Sequence, residues 1–223
     1  LLAVTPIQSQ LAEDENIPAI LAENPVDSHL LKLVAALSEQ AHFSRKKVTN
    51  ELSPFILINF LEKLDPVKMY FTRSDIRYFQ RYRYKIDDAL KQGNLEPIYD
   101  IFRIYRLRVQ QRLGFCVNLL LTQDHNFESD GSYDFNRQVK NWFDDIKELE
   151  NLWQKKTHND LLTLILAGQS KEMAIEVLEK RYRRFIRKVN LFDEEDVISI
   201  FLNAFVHTLD PHSNYLNPTQ SEE

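Results

Sequence analysis

The chain has 223 residues, 43% of them hydrophobic and 11% aromatic, which excludes a disordered polymer and leaves room for one large domain or two small ones. Its formal charge of −5, from 28 basic and 33 acidic residues, makes the chain as a whole a poor electrostatic ligand for nucleic acid. Four glycines, at 93, 114, 131 and 168, are about a quarter of the usual share; tight hairpins need glycine for positive φ and helices avoid it, so the composition points to helices.

Residues 1–27 hold Pro6, Pro18 and Pro25 and an acidic patch from Glu13 to Glu15, and read as a linker or a processed lead-in. The start Leu1-Leu2-Ala3-Val4 is compatible with the trimmed end of a signal peptide or with an arbitrary boundary. Asp27 and Ser28 offer caps for a helix to about Ala41 with Leu30, Leu33, Val34 and Leu37 on one face. Ser53-Pro54 reads as a cap followed by a first-turn proline, opening an apolar helix over Phe55 to Leu64 that Asp65-Pro66 ends. Ser74 then caps a helix running to Gln92, with Ile76, Phe79, Ile86 and Leu90 as its stripe and Gly93 as its stop.

A longer helix, Glu96 to Leu121, carries Ile98, Ile101, Phe102, Tyr105, Val109, Leu113, Cys116 and Leu120 at alternating three- and four-residue steps. Gln123 to Asn136 is polar and reads as a loop. From Arg137 to Ala167 the pattern is helical, with Trp142, Ile146, Leu149 and Trp153 in line and a break expected near Thr157 to Asn159. Ser170 caps a helix whose stripe is Ala174, Leu178, Tyr182, Phe185 or Ile186, and Val189, and Asp193 opens a last helix ending at Leu209. No segment alternates over five or more residues. The expectation is an all-α domain of seven or eight helices over residues 28–208, with 209–223 as a junction.

Recognisable catalytic chemistry is sparse. His29, His42, His125, His158, His207 and His212 form no HExxH-like pair, so no metal or cofactor is expected. Cys116 lies on an apolar stripe and reads as a buried structural thiol. No GxSxG elbow, phosphate loop or dinucleotide fingerprint occurs, and no apolar run reaches the roughly 20 residues of a membrane-spanning helix. The basic run Lys180, Arg181, Arg183, Arg184, Arg187 and Lys188 has two readings. One is a docking face, built on Lys180, Arg183, Arg184 and Arg187, for an acidic partner or a phosphate backbone, the latter disfavoured by the acidic balance of the chain. The other, better supported, is a solvated helix end with Glu176 and Glu179 placed four residues before Lys180 and Arg183. Tyr78 to Lys85 alternates aromatic and basic residues, which core packing explains more cheaply than base stacking.

One feature is repeated. Leu64-Asp65-Pro66-Val67-Lys68-Met69-Tyr70-Phe71-Thr72 is echoed by Leu209-Asp210-Pro211-His212-Ser213-Asn214-Tyr215-Leu216-Asn217. In both, Asp-Pro follows an apolar helix, and a tyrosine stands five residues after the aspartate. The expected device is a helix stop whose tyrosine and next residue fold back as an apolar plug; for the second copy this places Tyr215 and Leu216 near Phe201 and Phe205. His212 is expected to help fix that turn.

The segment Phe205 to Leu216 is similar to the LDPHSxYL signature that leads into the PDZ domain of carboxy-terminal processing proteases, with Leu209, Asp210, Pro211, His212, Tyr215 and Leu216 as its matching residues. Leu61 to Phe79, Leu95 to Tyr105, Trp153 and Arg181-Tyr182-Arg183-Arg184 resemble the helical N-terminal region of the tail-specific branch, so the likeness spans roughly residues 40–223. The resemblance implies a periplasmic or exported serine endopeptidase that takes protein substrates by apolar C-terminal tails through a PDZ domain and cuts with a Ser-Lys dyad. Both parts are expected beyond Glu223, so no catalytic residue is assigned here and this chain alone is expected to be inactive. The helical domain would then serve substrate access, support of the PDZ domain, or docking of an adaptor or second subunit. A free-standing helical interaction module is the alternative.

Overall fold

The computed structural model describes residues 21–41, 47–125, 132–134, 136–137 and 140–216. These form eight α-helices: α1 (Pro25–Ala41), α2 (Ser53–Leu64), α3 (Arg73–Phe79), α4 (Ile86–Gln92), α5 (Glu96–Thr122), α6 (Ile146–Leu166), α7 (Lys171–Asn190) and α8 (Glu194–Leu209), with a 3-10 turn at Gln80–Tyr82. The sole β pairing among the described residues is an isolated parallel bridge between Thr72 and Phe143. The fold is all-α.

Two groups of helices share one core. Helices α5, α6 and α7 pack on one another, while α1 and α2 both pack on α8 and α4 packs on α1 and α2; α5 and α8 meet and join the groups. The 27 residues of α5 give it a length of about 40 Å at 1.5 Å per residue, enough to span such a domain. All eight residues of its expected stripe are buried.

Caps fix most boundaries. Ser170 accepts from the Met173 N–H at 3.2 Å, and Asp193 forms a reciprocal capping box with Asp196. Gly93 ends α4 in the left-handed region at φ 69°. A Cβ there would also lie 2.3 Å from Ser28 Oγ and 2.4 Å from Ser28 O, so glycine both turns the chain and lets α4 approach α1.

Several expectations are corrected. α1 starts at Pro25, with the Asn24 side chain accepting the Val26 N–H at 2.9 Å. Its buried face is Asp27, Leu31, Ala35 and Ser38, leaving Leu33 and Leu37 exposed. Ser53 does not cap α2; its hydroxyl accepts the Ile86 N–H at 2.9 Å and so opens α4 instead. The helix expected from Ser74 to Gln92 is three pieces, starting at a Thr72–Asp75 capping box. The helix expected from Arg137 begins only at Ile146, because Phe143 pairs with Thr72 and Trp142 is drawn to Asp65; Asp145 is the first residue to supply a cap. The expected break near Thr157 does not occur, since fully buried Thr157 shares a packed face with Leu149, Trp153 and Leu161, and packing overrides weak local propensity. His42, Gly131 and Asn217 fall outside the described residues.

Candidate functional site

The two Asp-Pro segments are the same backbone device used at different depths. The Asp65 N–H bonds to Leu61 O and the Lys68 N–H to Asp65 O, at 2.9 and 3.1 Å; the Asp210 N–H bonds to Val206 O and the Ser213 N–H to Asp210 O, at the same two distances. Each aspartate ends its helix, and each turn closes three residues later. In the first copy the Asp65 carboxylate, fully buried, accepts from the N–H groups of Met69, Tyr70 and Phe71 and from the Trp142 indole, at 2.7 to 3.1 Å. Burial raises its pKa from the ordinary carboxylate value, with the four donors pulling the other way. Lys68 takes a positive φ of 55° inside this turn.

The plug it delivers is large. Tyr70 meets Tyr105 at 5.7 Å, Trp153 at 5.4 Å and Phe185 at 6.2 Å between ring centroids, and Phe71 meets Phe79 at 5.3 Å. The Trp153 indole donates to Met69 O at 2.7 Å. Thus one turn after α2 ties together α3, α5, α6 and α7 through aromatic contacts, each adding about 0.5–1.5 kcal/mol beyond its area burial.

The second copy lies at the surface. Asp210 accepts from the His212 N–H at 3.1 Å and from Ser213 Oγ at 3.0 Å. His212 thus serves the turn through its backbone, while Pro211 and the His212 side chain are exposed. Asn203, in the middle of α8, clamps the returning strand from both sides. Its Oδ1 accepts the Tyr215 N–H and its Nδ2 donates to Tyr215 O, both at 3.0 Å. His207 Nε2 lies 3.0 Å from Asn214 Oδ1. Tyr215 is half-buried and packs on the core, as expected, but Leu216 does not, being 58% exposed. Ser213, Asn214, Tyr215 and Leu216 alternate inward and outward, the period-two habit of extended backbone, so a plug of two consecutive residues cannot form here.

On α7, Lys180 pairs with Glu176, and Arg183 with Glu179 at 2.8 Å, both in the favourable order. Arg184 and Arg187 are exposed, beside Phe185, which is itself 37% exposed. The junction and this basic face lie on different helices, α8 and α7. Cys116 is buried and its thiol is pushed up to about 11 by desolvation, which leaves it protonated at neutral pH. Among the described residues no helix is long and apolar enough to cross a membrane, and no three His, Cys, Asp or Glu side chains are grouped as metal ligands.

Residues 33–219 match the family model described as "Tail specific protease N-terminal domain". The chain belongs to this family. It is also 28% identical over 206 residues to the tail-specific protease of Haemophilus influenzae, an alignment covering 92% of this chain and 29% of that protein. The chain therefore spans less than a third of the length of that relative. The family match includes the Asp65 turn, the whole of α8 and the Asn203 clamp.

Sequence reading missed Asn203 and Trp142 as tethers. Asparagine inside a helix was the available signal, because its side chain competes for backbone partners and is disfavoured there unless something engages it. Trp142 carried no such signal, since its helical spacing to Ile146 and Leu149 pointed elsewhere.

Proposed function

We propose that this chain is the N-terminal helical domain of an exported serine endopeptidase that degrades or processes proteins from apolar C-terminal tails, with a PDZ domain and a Ser-Lys dyad outside residues 1–223. In such a dyad the lysine must be neutral to accept the serine proton, which calls for a desolvated site. The observation that carries the reading is the family match over residues 33–219, joined to a relative in which more than two thirds of the length lies outside the aligned part.

The helical domain's part is to anchor the strand that leads toward the PDZ domain. Asn203 fixes that strand in register against α8 through two hydrogen bonds, so the direction in which residue 216 leaves is set by the helical core. The exposed cations Arg184 and Arg187 are the proposed contact for an acidic adaptor or second subunit.

The test compares this chain with the full-length protein on an unstructured substrate ending in an apolar tail. Cleavage is expected for the full-length protein and absent for residues 1–223. Cleavage by the purified short chain, retained after inhibitor controls for contaminants, sinks the assignment of catalysis to another domain. Failure of the full-length protein to cleave any tailed substrate supports a helical interaction module instead.

A further inference from the structure

A cleft of about 640 Å³ opens between the start of α3, the middle of α5 and the start of α6, lined among others by Thr72, Ser74, Arg108, Arg112 and Glu150. That is the size range of sites for small ligands and short peptide segments. Its two arginines stand four residues apart on α5, yet they are in opposite situations. Arg108 is committed: it grips Asp75 through Nε at 2.9 Å and Nη2 at 2.6 Å, and gives Nη1 to Gln111 at 2.8 Å. Arg112 is only 5% exposed, its Nε is buried without an acceptor, and among the described residues it makes no hydrogen bond or ion pair. Burial, with a smaller push from the Arg108 charge, lowers its pKa from the ordinary guanidinium value, as befits a cation short of a counter-ion.

A guanidinium whose Nε is buried without an acceptor is costly, and an apolar side chain of similar volume would serve packing better. The acids nearby are mostly spoken for. Asp144 is held by Arg73 at 2.6 Å and Arg77 at 3.3 Å, and Asp145 caps α6 through the Lys147 N–H at 2.8 Å. Glu150 lies within electrostatic range of Arg112 without hydrogen-bonding to it.

We infer that this cleft is a binding site for a carboxylate carried on a polypeptide, with the Arg112 guanidinium as its fork; the Thr72 hydroxyl beside it is already committed to Asp75, to which it donates at 2.9 Å. A planar carboxylate matches one guanidinium in bidentate fashion. A phosphate dianion fits poorly, because the four arginine charges in and around the cleft (73, 77, 108, 112) are matched in number by four carboxylates (75, 144, 145, 150), of which only Asp75 and Asp144 are paired to arginine, and a second negative charge would face Glu150 and Asp145 unpaired. The inference is independent of the protease assignment, since binding is read on this chain alone.

The experiment follows the side-chain Nε–Hε resonances of the 15N-arginine-labelled chain during titration. The probes are acetyl-pentaalanine with a free carboxylate, the same peptide as its amide, acetyl-Ala-Ala-Glu-Ala-Ala amide, and inorganic phosphate. The Arg112 resonance is expected to move saturably, in the millimolar range of a single charge-assisted contact, with one or both carboxylate-bearing peptides. Which of them acts separates a chain terminus from an acidic side chain. Arg112→Met should abolish the effect while leaving the thermal midpoint unchanged or higher, and Glu150→Gln, which keeps the fork, should tighten binding several-fold. The inference is overturned by an equal response to the amidated pentaalanine, by a response surviving in Arg112→Met, by binding of phosphate alone, or by no response to any probe. If Arg112→Met does not fold, an unchanged affinity in Glu150→Gln is enough to reject it.

Discussion

Replacing Asp65 by alanine tests whether the turn after α2 organises the core. The wild-type carboxylate receives four donors, three from backbone and one from an indole. Hydrogen bonds to a charged group are worth about 1.5–3 kcal/mol each, a gross of about 6–12 kcal/mol for four. Against this stands the several kcal/mol lost in taking a carboxylate out of water. The net destabilisation expected for Asp65→Ala is therefore about 3–5 kcal/mol, because the donors of Met69 and Phe71 stay buried with nothing to accept them. Asp210→Ala removes the same device from an exposed turn and should cost about 1 kcal/mol, since its donors can turn to water. Equilibrium urea unfolding followed by far-UV circular dichroism reads both. The Asp65 variant should also lose near-UV ellipticity, as Tyr70 and Trp153 lose their fixed packing. Equal midpoints for the two variants, or a cost below about 1 kcal/mol at Asp65, would refute the idea that burial depth sets the worth of the repeated turn.

Three further outcomes are expected. Gly93→Ala should destabilise by about 2–4 kcal/mol, because a left-handed φ of 69° is combined with a clash against Ser28; Gly114→Ala, inside α5 with open space around it, should stabilise by about 0.5–1 kcal/mol, and thermal melts of the pair check both signs. Asn203→Ala or Tyr215→Ala should each cost about 1–2 kcal/mol and raise amide exchange over residues 213–216, with no change if the strand is a mere linker. Burial alone would raise the Asp75 carboxyl, but Arg108 and Thr72 more than offset it and hold it below its usual value. Its contribution is thus complete above the unfolded carboxylate value of about pH 3.9 and is lost as pH falls through the folded-state value; Asp75→Asn should lower the urea midpoint near neutrality and flatten that part of the acid limb.

The local signals were legible where one physical cause dominates. The α5 stripe, the Ser170 and Asp193 caps, the Gly93 stop and the Asp-Pro helix ends all follow from periodicity, hydrogen-bond capping or proline geometry, which depend on neighbours within a turn or two. The repeated Asp-Pro and tyrosine spacing was also visible in the residues, as was the family likeness over Phe205 to Leu216 that the match to residues 33–219 bears out.

What the residues alone did not decide is which face or partner each side chain takes. Ser53 has the chemistry of a cap, yet it serves α4, 33 residues away. Trp142 fits a helical stripe by spacing, but a buried carboxylate 77 residues upstream claims its indole and keeps the chain extended. Leu33 and Leu37 are as apolar as Leu31, and only the packing of α1 against α4 and α8 turns Leu31 inward. The two Asp-Pro turns share a local sequence logic and the same backbone bonds. One became the aromatic hub of the domain because Trp142, Trp153 and Tyr105 converge on it; the other stayed at the surface, where alternation along an extended strand buries Tyr215 and leaves Leu216 in water. Local rules decide where a helix stops, while the long-range competition for buried donors, acceptors and aromatic surface decides what the stop is used for.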